Sequence, residues 1–354
     1  MKNIYLQFLD HQSNKSPMVL ATVTRTHGSV PQKPGSSALF GKKGLISGTV
    51  GGGVVEGRVE KLAREALLSK KSGHFLFNLG NDISKTEEAI CGGQISILID
   101  ANLINHLSVF EQLRISIENR VPGVMITMVT GFKEETVLIN RYWINNKSKP
   151  AIPAAFLEKI EPVVINMLTE GNPSDYREME LTIPDEEPSS LFFLEAVFPP
   201  EHLIIAGAGH IGKALAHLAD MIDFEVTVID DRPEYANSEN IPEASHIIVK
   251  DIGETLKDLK KSSDTYVVIV TRGHKDDAAA LKPCIGSELA YIGMIGSKNK
   301  IAAMRSNFIE NGWATIKEWE AIHTPIGLDI KSRTVEEIAI SIVAQLVLVR
   351  NSKK

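Results

Sequence analysis

Residues 203–231 read Leu203-Ile-Ile-Ala-Gly207-Ala-Gly209-His210-Ile-Gly212-Lys-Ala-Leu-Ala-His-Leu-Ala-Asp-Met-Ile-Asp-Phe-Glu-Val226-Thr-Val-Ile229-Asp230-Asp231, and their order decides the fold. An apolar run from Leu203 to Ala206 enters three spaced glycines. An amphipathic segment follows, and a second apolar run, Val226 to Ile229, ends on two carboxylates. That is strand, glycine turn, helix, strand. Gly207 permits the tight turn, Gly209 lets backbone N–H groups approach a pyrophosphate, and Gly212 lets the helix close on the strand. The helix N-terminus offers unpaired N–H donors and a partial positive charge to phosphate, with His210 as a further cofactor contact. Asp230 lies 18 positions beyond Gly212, where a ribose-binding carboxylate belongs. The pattern defines a Rossmann unit. It does not define a reaction, because one fold hosts many functions and such a turn can stand without a dinucleotide.

Outward from this stretch the alternation continues. Short apolar runs at Ser245–Val249, Thr265–Val270 and Ala290–Ile295 suit buried parallel strands, with helical stretches near 275–284 and 297–310. A last helix, Val335 to Arg350, repeats apolar residues at Val335, Ile338, Ala339, Ile342, Val343, Leu346 and Val349. The prediction is a doubly wound parallel sheet over 199–354, entered through the stiff Pro199-Pro200 pair.

The N-terminal half, 1–198, has a different grammar. Strands are expected at Met18–Thr24, Ser37–Phe40, His74–Leu79, Gln94–Asp100, 123–130, 134–142 and Ser190–Phe198, with helices at Val54–Ser69 and 102–119. This mixture implies an α+β domain of undetermined topology. Residues 144–190 are polar and Pro-punctuated. They read as partly linker-like, with one helix around 153–169 and an exposed acidic connection at Pro184–Pro188.

With 354 residues the prior is two domains. The formal net charge is −6 and no long Lys/Arg run occurs, which argues against a nucleic-acid surface. No signal-peptide core opens the chain and no apolar run is long enough for a membrane span. A cytoplasmic, soluble homo-oligomer, a dimer in the simplest case, is expected, with no membrane partner. The two cysteines, Cys91 and Cys284, exclude a disulfide framework and a Cys-rich zinc or iron–sulfur site.

Several further motifs carry chemistry. Gly48-Thr-Val-Gly51-Gly52-Gly53-Val-Val-Glu56 places three glycines before a helix, where backbone N–H groups can cup an anion; a tight packed turn is the plainer reading. His27-Gly28-Ser29-Val30-Pro31-Gln32-Lys33-Pro34-Gly35 is another backbone-exposing loop. In Ile90-Cys91-Gly92-Gly93 the glycines leave room beside a thiol suited to molybdenum, copper or sulfur transfer, although free cysteines are commonly small buried hydrophobes. Cys284 has no such context and reads as structural. Late in the chain stand Thr271-Arg-Gly-His274-Lys-Asp276, where His274 is an acid/base or polar-clamp candidate, and Gly296-Ser297, which opens a helix and reads as a second phosphate contact.

Taken in order, these motifs resemble the XdhC/CoxI family of accessory proteins, which mature molybdenum hydroxylases such as xanthine dehydrogenase. The carrying residues are Gly28-Ser29 with Pro31 and Gly35, Gly48–Glu56, Cys91–Gly93, Gly207–Gly212, Asp230-Asp-Arg232, Thr271–His274, Tyr291–Ser297 and Pro325–Asp329 followed by Glu336–Ser341. The chain departs from the family at Gln32, where members commonly show Arg, and at Asp100, where they often show Glu.

The resemblance implies a chaperone-like protein that binds the molybdenum cofactor, a molybdopterin that can be a dinucleotide. It holds this cargo while a cysteine desulfurase converts an oxo ligand to sulfido, then passes it to an apo molybdenum hydroxylase of xanthine dehydrogenase type. On that reading Gly51–Gly53 and Gly207–Gly212 bind phosphates, Asp230 a ribose, and Cys91 meets molybdenum or accepts sulfur. The chain itself cannot be the hydroxylase, whose iron–sulfur clusters each need four Cys thiolates. Two other readings stay open. An NAD(P)-dependent oxidoreductase accounts for Gly207–Asp230 but leaves Gly51–Gly53 and Cys91 without a role; a scaffold protein needs no small ligand at all.

Overall fold

The computed structural model describes residues 3–12, 16–79, 93–132, 136–148, 150, 152–170, 175–183 and 186–352. The chain divides into two compact units, Lys2–Pro199 and Pro200–Lys354.

The N-terminal unit runs α1 (Ile4–Gln12), β1 (Val19–His27), β2 (Ser37–Gly41), β3 (Gly44–Gly48), α2 (Gly53–Ser69), β4 (Gly73–Asn78), β5 (Gln94–Asp100), α3 (Leu107–Glu118), β6 (Gly123–Thr130), β7 (Leu138–Asn145), α4 (Ala154–Thr169), β8 (Tyr176–Ile183) and β9 (Glu186–Val197). Its strands form two antiparallel sheets, ordered β3-β2-β1-β5-β4 and β7-β6-β9-β8. The first six residues of β1 are buried on both sides of the sheet. Val19, Ala21 and Val23 pack under the Val55/Val59/Ala63/Ala66 stripe of α2, while Leu20 faces α1 and α3. Leu98 of β5 meets Val129, Leu191 and Phe193, so the second sheet packs on the first. The stripe Phe156, Ile160, Val164 and Met167 seats α4 on the second sheet's outer face. A buried ion pair joins the sheets: Arg141 of β7 donates to Asp100 of β5 at 2.9 Å.

Sequence reasoning misplaced three parts of this unit. The strand expected at 134–142 is β7, shifted to Leu138–Asn145. Within residues 144–190 the helix expected around 153–169 is α4, but β8 was not expected, so the stretch is less linker-like than read. Strand β8 reads Tyr-Arg-Glu-Met-Glu-Leu-Thr-Ile, and as an edge strand it tolerates charges that hide it from a hydrophobicity reading. Of the acidic stretch read as an exposed connection, Glu186–Pro188 belong to β9, Glu186 pairing with Ile183, and residues 184 and 185 lie outside the described residues.

The C-terminal unit runs β10 (His202–Ala206), α5 (His210–Met221), β11 (Glu225–Asp230), β12 (His246–Val249), α6 (Ile252–Asp258), β13 (Thr265–Ile269), α7 (His274–Leu281), β14 (Tyr291–Met294), α8 (Lys298–Glu310), α9 (Ile316–Glu320) and α10 (Val335–Ser352). All five strands are parallel, in the order β12-β11-β10-β13-β14, which is the expected Rossmann sheet. Leu203 and Ile205 pack toward α5 and α10, and Ile204 and Ala206 toward α6, α7 and α8. Burial on both faces is why these strands read as continuous apolar runs. The chain leaves β12 at one edge and returns as β13 beside β10, so the strand order reverses between β10 and β13. Open α/β sheets place ligands beyond the strand ends at such a point.

Candidate functional site

The three Rossmann glycines do three different things. Gly207 has φ +118°, and a Cβ there would lie 2.6 Å from the carbonyl oxygen of Val270 on the neighbouring strand end. A Cβ on Gly212 would fall 1.9 Å from the Gly207 carbonyl oxygen, so this glycine sets how closely α5 approaches its turn. Gly209 is the N-cap of α5, no side chain caps it, and a Cβ there would meet nothing within 4 Å. Its freedom serves neither packing nor an unusual φ. The start of α5 thus borders open space and has no side-chain cap for its first N–H donors, the setting a phosphate requires. His210 is exposed on the first residue of this helix.

Asp230 ends β11 with its side chain 2% exposed, and the chain itself uses its carboxylate fully. Oδ2 accepts from the Ala208 N–H (2.8 Å) and from Arg232 Nη2 (2.8 Å). Oδ1 accepts from the Arg232 N–H (3.0 Å) and from Arg232 Nε (2.8 Å). Burial pushes this carboxyl up, but the hydrogen bonds from Arg232 and Ala208 together outweigh it and hold its pKa below the ordinary value. Arg232 also lies over the Tyr235 ring, 4.1 Å from its centre. Asp230 thus locks the glycine turn to β11.

Beside it opens a shallow cleft, lined among others by Asp231, Asp251, Arg272 and Asp276 at the ends of β11, β12 and β13. Arg272 Nη2 donates to Asp231 Oδ2 at 3.0 Å, and its Nε lies 3.4 Å from Asp276 Oδ2. Asp231 and Arg272 carry no weight of their own in the sequence reading. The available signal was the Asp230-Asp231 doublet, because consecutive residues at a strand end point opposite ways and a buried first carboxylate leaves the second exposed.

His274 is the first residue of α7 and exposed; Gly273 caps that helix, and a Cβ on Gly273 would also meet nothing within 4 Å. Asp277, one turn on, is fully buried, accepts from the Thr271 hydroxyl (2.5 Å) and pairs with Lys300. Ser297 is the N-cap of α8, its hydroxyl accepting from the Lys300 N–H at 3.4 Å, and the space a Gly296 Cβ would take is bounded by Ile301 at 3.1 Å. Gly296 and Ser297 therefore build the helix start. Cys284 is buried among α6, α7 and α8 residues, and burial pushes its thiol up to about 11.

In the N-terminal unit the structure gathers the early motifs. Gly52 is the N-cap of α2 without a side-chain cap, and a Cβ on Gly52 or on Gly53 (φ +59°) would meet nothing within 4 Å. Gly51 backs onto Pro31, whose ring carbon a Cβ would approach to 3.1 Å. Thr49 accepts from the Gly51 N–H (3.2 Å) and donates to Glu56 (3.3 Å), bracing the turn. Gly93 sits against the carbonyl oxygens of His27 and Ser29, at 2.6 Å each from where its Cβ would be, and its own carbonyl accepts from the Leu79 N–H at 2.9 Å. The His27–Pro31 loop thus touches both Gly51 and Gly93. Cys91 and Gly92 lie outside the described residues. Among the described residues no three His, Cys, Asp or Glu side chains are grouped to hold a metal ion, and no helix is long and apolar enough to cross a membrane.

The fold and site define a class: a Rossmann unit with an open glycine turn, joined to an antiparallel α+β unit with a second glycine-initiated helix. Comparison with known proteins narrows it. Residues 203–346 match the XdhC Rossmann domain, and residues 11–78 match the XdhC and CoxI family. A curated protein of Bacillus subtilis (strain 168), named as one of the probable subunits of xanthine dehydrogenase, is 26% identical over 94% of this chain and 93% of its own length. The Escherichia coli (strain K12) protein YqeB is 30% identical over 42% of this chain and 27% of its own. A crystal structure reported as a xanthine dehydrogenase from Bacillus halodurans superposes with a TM-score of 0.77 at 26% identity, covering 99% of this chain and 96% of that one. The chain belongs to the XdhC/CoxI family, with both of its parts present in order.

Proposed function

We propose that the protein is an accessory factor of a xanthine dehydrogenase-type molybdenum hydroxylase: it binds the molybdenum cofactor as cargo, presents it for sulfuration by a cysteine desulfurase and delivers it to the apo-enzyme. The observation that carries this reading is the pair of open glycine-started helices, one per unit. At Gly209 and at Gly52-Gly53 the space a side chain would fill is open, and neither helix start has a side-chain cap for its first N–H donors. Such turns fit the phosphates of a pterin nucleotide. A nicotinamide-dependent dehydrogenase needs only the first of them. The Bacillus subtilis relative's name connects the family to xanthine dehydrogenase, while two cysteines in 354 residues are too few for the hydroxylase's own clusters. In this scheme Cys91 supplies the soft, deprotonatable sulfur that molybdenum contact or sulfur transfer requires.

The test has two parts. Protein purified anaerobically and analysed by mass spectrometry and metal analysis should carry molybdopterin and molybdenum. Reconstitution of substrate oxidation from apo-hydroxylase, cofactor, desulfurase and this protein should fail with Cys91→Ser and succeed with Cys284→Ser. Full activation by Cys91→Ser removes the thiol from the mechanism. Absence of molybdopterin together with steady NADH turnover replaces the whole reading with a dehydrogenase.

A further inference from the structure

The cleft beyond β11 and β13 has a composition that the glycine turn alone does not explain. Four carboxylates (Asp230, Asp231, Asp251 and Asp276) and two guanidinium groups (Arg232 and Arg272) line it. Both cations are already engaged: Arg232 grips Asp230 through two side-chain hydrogen bonds, and Arg272 bridges Asp231 and Asp276. No unpaired cation among these lining residues is left for a further anionic group. Asp230, the carboxylate a Rossmann pattern nominates for the ribose, has two hydrogen bonds on each oxygen and is buried. Its neighbour differs on every count. The Asp231 side chain is 49% exposed, Arg272 holds only its Oδ2, and Oδ1 has the Arg232 Nε no nearer than 3.9 Å. That oxygen can accept from a hydroxyl in the cleft.

We infer that Asp231, held in place by Arg272, is the residue that reads the ligand's ribose. The Rossmann unit therefore takes a nucleotide with free ribose hydroxyls and rejects one carrying a 2′-phosphate. The inference rests on the reading that this unit holds a nucleotide-bearing ligand, and it adds which residue selects and what is selected. The physical reason is electrostatic. A 2′-phosphate would bring close to two negative charges into a cleft whose carboxylates outnumber its cations, with both guanidinium groups already paired to carboxylates. A neutral hydroxyl donates to Asp231 without displacing Arg272 from Oδ2.

The test uses the full-length protein and isothermal titration with ADP, CDP, GDP and UDP, their 2′-deoxy counterparts, and NADH against NADPH. Ribonucleotides that bind should lose about tenfold or more in affinity on removal of the 2′-hydroxyl, and NADPH should bind at least tenfold more weakly than NADH. Asp231→Ala should erase the ribose preference and bring NADPH up toward NADH, with the melting temperature unchanged. Asp230→Asn should lower the melting temperature, and the folded fraction should keep the preference. Retention of both preferences by Asp231→Ala overturns the assignment while leaving nucleotide binding intact. If none of these nucleotides binds, the nucleotide reading of the Rossmann unit falls, and this inference falls with it.

Discussion

A methyl group added at Gly209 projects into open space, whereas one at Gly212 lands 1.9 Å from the Gly207 carbonyl oxygen. Gly209→Ala should therefore leave stability within about 0.5 kcal/mol of the parent. Gly212→Ala should lose about 1–3 kcal/mol despite its better helix propensity, because the backbone contact must be pushed apart. Urea titration of the two variants checks the split, and equal stabilities would show that the close approach of α5 to its turn is not what Gly212 serves. Gly209→Val should fold and lose phosphate-bearing ligands. At Asp230 the sign of the pH effect follows from a folded pKa held below its ordinary value of 3.8. Its carboxylate stabilises the fold in full above that value, and the contribution drains away as pH falls through the lower, folded one. Replacing Asp230 by Asn should lower stability at neutral pH and flatten the fall in stability on the acid side of its ordinary value. An unaltered acid limb would assign the acid sensitivity to other carboxylates.

Among the elements, α4 shows tertiary packing overriding local preference. It carries Pro162 in its interior, on the exposed side, and so lacks one backbone hydrogen bond to Glu158. The helix persists because Phe156, Ile160, Val164 and Met167 bury a continuous stripe against the second sheet. Pro162→Ala should stabilise the protein by about 1–3 kcal/mol, with a matching rise in melting temperature. A fall on that substitution would mean that the proline's restraint on the backbone suits the helix to its sheet. Strand β8 makes the complementary point: alone it is a charged, polar run, and only its pairing with β9 makes it a strand.

At the scale of the whole molecule, the division at Pro199/Pro200 leaves every parallel strand, and both helical layers that cover them, in the second unit. A fragment spanning residues 201–354 should fold by itself and melt cooperatively, since it keeps its own core and its own closing helix α10. Aggregation of that fragment beside a well-behaved full chain would show that the second unit depends on the first. If it folds, the ribonucleotide titrations can be repeated on it, and the same 2′-hydroxyl preference is expected, because every residue invoked lies beyond Pro200.

The Rossmann half was legible from the chain because its signals are local. Buried parallel strands are unbroken apolar runs, and the turn needs glycine at fixed intervals whatever surrounds it. The family, too, was legible, since its motifs recur in order along the sequence. The antiparallel half was less so: which strands pair, that β8 is one of them, and that Gly93 backs onto the His27–Pro31 loop are decided by contacts far apart in sequence. The same holds at the site. Sequence spacing nominates Asp230 and Ser297, but only the folded chain determines that Asp230 is consumed by Ala208 and Arg232, that Ser297 caps α8, and that Asp231 faces the cleft. Hydrogen-bond capacity is finite and is allotted by three-dimensional neighbours, so a residue's type can be read in one dimension while its availability cannot.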